Sequence, residues 1–182
     1  MLESKAASRY AKSLLDLSIE QNTLEETKRD MILIAQVIDD SSELEAILNN
    51  PIVPLDKKTG ILTGLFDGKV SKMTIAFLKQ LVSKGRSAIL FGVSKAFVSQ
   101  YNAIKGIVTA EVTSTVALND ASRAEIVSIV KKETGADEVL INEKISEKLI
   151  GGFILKVGDR QFDASVLHGL NKLKKEFAQG LV

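Results

Sequence analysis

The chain has 182 residues, with 24 basic against 23 acidic side chains and a net charge of +1, so no global field favours nucleic acid or an anionic membrane. It has no cysteine, which excludes disulfides and thiolate chemistry, and one histidine, which leaves no second imidazole for a transition-metal site. No stretch approaches the ~20 apolar residues that span a bilayer, and the charges Glu3, Lys5 and Arg9 near the start do not fit a signal peptide.

Residues 1–105 predict a bundle of six helices. Ala7, Tyr10, Ala11, Leu14, Leu15 and Ser18 recur at spacings of three and four, which makes one face of a first helix. Ala7 and Ala11 are small enough for another helix to come close. Thr23-Leu24-Glu25-Glu26 has capping-box spacing and opens a second helix with Leu24, Met31, Ile34, Ala35 and Ile38 inward. Ser42-Glu43-Leu44-Glu45 repeats the signal for a short third helix. Pro51 and Pro54 bracket a break. A fourth helix is expected over residues 56–66, and Gly68 marks the next turn. A fifth covers 72–83, with Met73, Ala76, Phe77, Gln80 and Leu81 on one stripe. Gly85 ends it, and Ser87 opens a sixth helix to about Ala103.

At Lys105-Gly106 the period changes from helix to strand, and residues 106–182 predict a small α/β domain. Over 107–116, Val108, Ala110, Val112, Ser114 and Val116 fall on one side, and Thr109, Glu111, Thr113 and Thr115 on the other. Asn119 or Asp120 caps a helix through Glu133, ended by Gly135, and 138–145 is a second strand. Gly158-Asp159 then fits a two-residue, Gly-first hairpin loop between arms 153–157 and 160–162, and Asp163 stands where a last helix would be capped. The predicted class is α+β: a six-helix bundle, then strand, helix, strand, hairpin, helix.

The chemical motifs are weak. Ser128-x-x-Lys131 and Lys58-Thr59-Gly60 imitate a serine acyl-enzyme site, but in reversed order and without the middle motif. Gly64-Leu65-Phe66-Asp67-Gly68-Lys69 has one residue too few between its glycines for a phosphate loop and lacks the following Ser or Thr. Glu143, Glu147, Asp159 and Asp163 lack the spacing of a calcium loop. Ser165 and His168 lie one helical turn apart with no third member of a triad. No catalytic group, cofactor or metal is expected. What core formation explains least is the apolar breadth of the first and fifth helices, which fits either central burial or a groove for a partner's amphipathic helix.

Four motifs carry a family likeness. They are Arg9-Tyr10-Ala11-Lys12, Lys84-Gly85-Arg86, Val112-Thr113-Ser114 with Ala117-Leu118, and Leu149-Ile150-Gly151-Gly152 followed by Val157-Gly158-Asp159 and Asp163-x-Ser165-Val166. In order and spacing the chain resembles, end to end, the delta subunit of bacterial F-type ATP synthase, called the oligomycin-sensitivity-conferring protein in mitochondria. It departs at Ala117, where the family often has proline, at Glu147, often Asp, and at Ala164, often Gly; all three concern turn geometry.

The resemblance implies a non-catalytic stator subunit without a cofactor. One copy per complex would lie at the cytoplasmic face of the bacterial plasma membrane, held there through the complex. Residues 1–105 would bind N-terminal segments of the alpha subunits, and residues 106–182 the C-terminal ends of the peripheral-stalk b subunits. The first contact is expected at Tyr10, Ser13 and Leu14 with Ala76, Phe77 and Lys79. The second is expected on the last helix, at Leu167, Leu170, Leu173 and Phe177. Two other classes, an RNA-binding α/β module and a small hydrolase, would need a basic aromatic sheet face or a nucleophile, and the sequence offers neither.

Overall fold

The computed structural model describes residues 2–146 and 149–179, with side chains from residue 5 onward except 172, 173, 175, 176, 178 and 179. The chain divides into two compact units, Met1–Asn102 and Ala103–Val182. The division falls inside the last turn of the sixth helix, three residues before the change of period at Gly106.

The N-terminal unit is helical: α1 (Leu2–Glu20), α2 (Leu24–Asp40), α3 (Ser42–Asn49), α4 (Leu55–Phe66), α5 (Lys72–Ser83), a 3-10 turn at Ser87–Ile89, and α6 (Leu90–Ile104). The sixth helix therefore starts in a tighter coil than its sequence suggests. Ala7, Ala11, Leu14, Leu15 and Ser18 of α1 are buried as their spacing predicts. Ala7 lies so near α6 that a Cβ at Gly92 would come within 3.3 Å of its own.

Two buried polar side chains tie the bundle together, because a buried ion persists only where its hydrogen bonds are met. Asp30 of α2 accepts from the Ser71 amide at 2.9 Å and from the Thr74 hydroxyl at 2.7 Å, so one helix caps the N-terminus of another. Lys58 of α4 donates to the Leu48 carbonyl at 2.8 Å and to the Ser87 hydroxyl at 2.9 Å, which satisfies the C-terminal end of α3.

Three expected caps are corrected. Thr23 precedes α2 but makes no cap bond; its hydroxyl faces the Met73 sulfur at 3.9 Å. Ser41 caps α3, accepting from the Leu44 amide, and Ser42 is already helical. Asp163 ends a strand, while Ser165 accepts from the His168 amide at 3.1 Å and caps the last helix.

The C-terminal unit comprises β1 (Ile107–Ser114), α7 (Asp120–Thr134), β2 (Glu138–Ile145), β3 (Phe153–Val157), β4 (Arg160–Asp163) and α8 (Val166–Gln179). The sheet order is β2-β1-β3-β4, with β1–β2 parallel and the other pairs antiparallel. Val116 lies beyond β1 and is exposed, because the strand ends at Ser114. Asn119 caps α7, and Gly135, at φ 68°, ends it. Ala110, Val112, Ile126, Val130 and Leu155 form the core between α7 and one sheet face. Gly158 alone of the two hairpin-loop residues has positive φ, as a Gly-first loop requires.

Gly152 fixes the departure of α8. At φ 77° it lies so close to the following turn that a Cβ would meet the Ala164 carbonyl oxygen at 2.3 Å. The Val166 amide donates to the Gly151 carbonyl at 3.0 Å, and the Ala164 amide to that of Phe153 at 3.0 Å.

Candidate functional site

In the N-terminal unit, two of the sequence motifs meet. The end of α5 is a Schellman turn: the Gly85 amide donates to the Val82 carbonyl at 2.8 Å, and the Arg86 amide to that of Leu81 at 3.0 Å. Gly85, at φ 68°, makes that turn possible. It carries Arg86 to α1, where Ala6, Arg9, Tyr10, Ser13 and Arg86 line an open cleft of about 300 Å³. Two guanidinium groups beside a half-buried tyrosine suit a partner segment bearing carboxylate or carbonyl oxygens.

The six expected contact residues do not share one cleft. Tyr10 and Ser13 line it. Leu14 is corrected to a core residue: it is 1% exposed, turned into the bundle, and out of reach of a partner. Ala76 is exposed and Phe77 half-buried on the outer side of α5, while Thr74, Leu78, Leu81 and Val82 form its buried side. Lys79 lies on the α4–α5 seam with Thr59, Thr63 and Ile75. Arg9 and Arg86 are the contributors that the expected set omitted, although both stand in the motifs that carry the family likeness.

In the C-terminal unit, α8 presents Leu167, Leu170 and Phe177 to solvent, the last at 73% exposure. The side chain of Leu173 lies outside the described residues. At the helix start, the Ser165 hydroxyl and then its amide donate to Asp163 and hold that carboxyl below the usual carboxylate range; His168 nearby adds to the effect.

A second open surface lies between α7 and the hairpin. Ile129, Val130, Leu155, Val157 and Phe162 line a cleft of about 520 Å³, with Glu133 and Arg160 at its rim, 3.7 Å apart. Hairpin register places Phe162 opposite Leu155, on the core side of the sheet, yet Phe162 is 56% exposed. A two-residue loop at Gly158-Asp159 implies that register from sequence. The exposure of Phe162 does not follow from sequence.

The weak chemical motifs take structural roles. Lys58 is buried against backbone and a hydroxyl, far from any acyl-enzyme arrangement. Gly68 makes the turn after α4. Among the described residues no group of three or more potential ligands forms a metal site; Glu143 pairs with Arg123, and Glu147 lies outside the described residues. The other sheet face, with Thr109, Glu111, Thr113, Asn142, Lys144 and Lys156, carries no stacking aromatic among the described residues. No described helix is long and apolar enough to cross a membrane.

Residues 6–177 match the sequence family described as the ATP synthase delta (OSCP) subunit. The chain belongs to this family. It is 41% identical, over all of its own length and 99% of the relative's, to ATP synthase subunit delta of Cytophaga hutchinsonii. It is 34% identical to the subunit of Chlorobaculum tepidum, covering 96% of each chain. The chloroplastic subunit of Emiliania huxleyi is also 34% identical, over 95% of this chain and 96% of that one. A chain in the mitochondrial ATP synthase hexamer of Toxoplasma gondii shares the fold, with a TM-score of 0.72 at 22% identity over 94% of this chain and 97% of that one. As a delta (OSCP) family member the chain is a stator component of F-type ATP synthase, part of the peripheral stalk. The expected fold class, a helical N-terminal region followed by a small α/β domain, agrees with the structure.

Proposed function

We propose that this subunit is a non-catalytic adaptor with one partner for each unit. The N-terminal unit takes the N-terminal segment of an alpha subunit, and the C-terminal unit takes the C-terminal end of the stalk b subunits. The complex thereby lies peripherally at the cytoplasmic face of the membrane. Such an adaptor resists rotor torque, so that turning of the central stalk is converted into ATP synthesis. The observation that supports this reading is that each unit has its own open surface: the Arg9–Tyr10–Arg86 cleft in one, the bare apolar side of α8 in the other.

Within the N-terminal unit the favoured contact runs from Tyr10 and Ser13 past Arg86, with Ala76, Phe77 and Lys79 of α5 as its second part. Leu14 supports it from below. Phe77→Asp and Arg86→Glu are expected to weaken binding of an alpha N-terminal peptide about tenfold or more, with circular dichroism unchanged. Calorimetric titration giving unaltered affinity for both variants removes the assignment. For the C-terminal unit, Leu170→Asp is expected to release the soluble part of the b subunit while the alpha peptide still binds.

A further inference from the structure

Arginines fare differently in the two units. In the C-terminal unit Arg123 pairs with Glu143, and Arg160 with Glu133. In the N-terminal unit Arg9 and Arg86 take part in no ion pair and no side-chain hydrogen bond among the described residues. They nevertheless meet at one cleft, which Ala6, Tyr10 and Ser13 line with them, and no carboxylate among the described residues lines it. Acids are not scarce, since the chain has 23 of them. Two like charges on one cleft repel, weakly in water and more strongly once a partner excludes the water.

Local structure fixes both side chains. Arg9 stands within α1, four residues before Ser13, so the two leave the helix on one face. Arg86 follows Gly85, whose φ of 68° closes the Schellman turn. A Cβ at Gly85 would meet nothing within 4 Å. That glycine therefore serves the backbone conformation that delivers Arg86, and not close packing.

The size of the cleft limits what enters it. One turn of helix with its side chains, ~10 Å across and ~5.4 Å long, fills ~420 Å³. The cleft holds about 300 Å³, so it suits a side chain of a docked segment rather than the segment itself. Charge decides which side chain. A neutral carbonyl oxygen would leave two guanidinium groups desolvated without a counter-charge, which is costly. A carboxylate has two oxygens, accepts charge-assisted bonds from both groups and brings the opposite charge.

We infer that Arg9 and Arg86 together clamp one acidic side chain, Asp or Glu, of the docked alpha segment, and that this contact sets the register of the segment along α1. This rests on the reading that the N-terminal unit takes that segment, and it names the feature the segment must carry. Arg9 and Arg86 determine specificity, and Gly85 is a positioning residue.

The test is calorimetric titration of the full-length chain with the alpha N-terminal peptide, and with peptides in which each acid in turn becomes its amide. One amide peptide is expected to bind about tenfold more weakly. Moving that acid by one position should weaken binding as much. Arg86→Gln is expected to lower affinity for the unmodified peptide by a similar factor and to lower it little further for that amide peptide, because both changes remove one contact. Gly85→Ala should likewise weaken the unmodified peptide and spare the amide one, which a general loss of structure would not do. If Arg86→Gln loses its circular dichroism, Arg9→Gln supplies the comparison. Losses that multiply overturn the clamp while leaving the docking standing. So does a peptide in which no acid matters although Arg86→Gln still weakens it; the pair then takes carbonyl oxygens. No binding of any peptide by the unmodified chain overturns the docking itself, and the clamp with it.

Discussion

The two units treat their polar and apolar groups differently. In the N-terminal unit the core includes Phe66, Phe97, Leu14 and Met31, each under 2% exposed, and the buried side chains Asp30 and Lys58 each make two hydrogen bonds. Among its described residues the C-terminal unit has a core of five buried apolar side chains, and it leaves Phe162, Leu167, Leu170 and Phe177 open. A unit with the larger buried core draws more of its stability from itself. One that leaves apolar side chains bare reaches full stability only with a partner on them, since burial of such surface is the main favourable term.

The strongest test of that contrast is Phe97→Ala. It removes a ring wholly buried in the N-terminal unit and is expected to cost about 3–5 kcal/mol. Denaturant titration should show the first unit losing that amount while amide exchange in β1–β4 stays as before. Loss of protection in both units together would mean that they unfold as one. Next comes Asp30→Ala, which strands the Ser71 amide and the Thr74 hydroxyl. About 1–3 kcal/mol is expected, read as a lowered unfolding midpoint for the same unit.

Gly152→Ala sharpens the other side. Positive φ alone costs a non-glycine residue about 1–2 kcal/mol, and the new Cβ would strike the Ala164 carbonyl at 2.3 Å. The second unit should lose at least that much and α8 should leave at a different angle, visible as chemical-shift changes from Phe153 to His168. Asn119→Ala removes the cap of α7, with about 1 kcal/mol expected in the melting of the second unit. The smallest effect is electrostatic. Asp163 is held below its ordinary value of 3.8 by Ser165. Its contribution is therefore present above that value and is lost as pH falls through the lower, folded one. Protection of the Ser165 amide, taken relative to its intrinsic exchange rate at each pH, should fall over that acid range in the unmodified chain and stay level in Asp163→Asn.

How far the sequence reaches depends on whether a feature is local. The fifth helix, 72–83, and the second strand, 138–145, end where periodicity and punctuation place them, because their limits are set by adjoining residues. Caps slip by one or two positions: Ser41 and Ser42 are chemically equal candidates, as are Asp163 and Ser165 for α8, and only backbone geometry chooses. Leu14 could be either a groove or a core residue from its spacing, since the first helix is apolar on more than one side. Lys58 and Asp30 gave no signal at all. Their partners lie 10 to 44 residues away, and burying either ion is favourable only once the bundle has formed. The Arg9–Arg86 meeting was written in two motifs, but their convergence needed the Schellman turn after α5.

β1 is the strand by which the chain enters the second unit, and it lies inside the sheet rather than at its edge. Its eight residues pair with β2 along their whole length, and its last five pair with β3 on the other side. A pull along the backbone at Ile107 therefore loads those ladders in shear, with many bonds sharing the force. The same pull on an outer strand would open its bonds one after another. Extension of the whole chain under an optical trap should accordingly break the sheet last when the handle precedes β1, and early when it follows β4. For a part whose task is to stand still while a neighbour turns, being held by the middle strand is a mechanical advantage built into the order β2-β1-β3-β4.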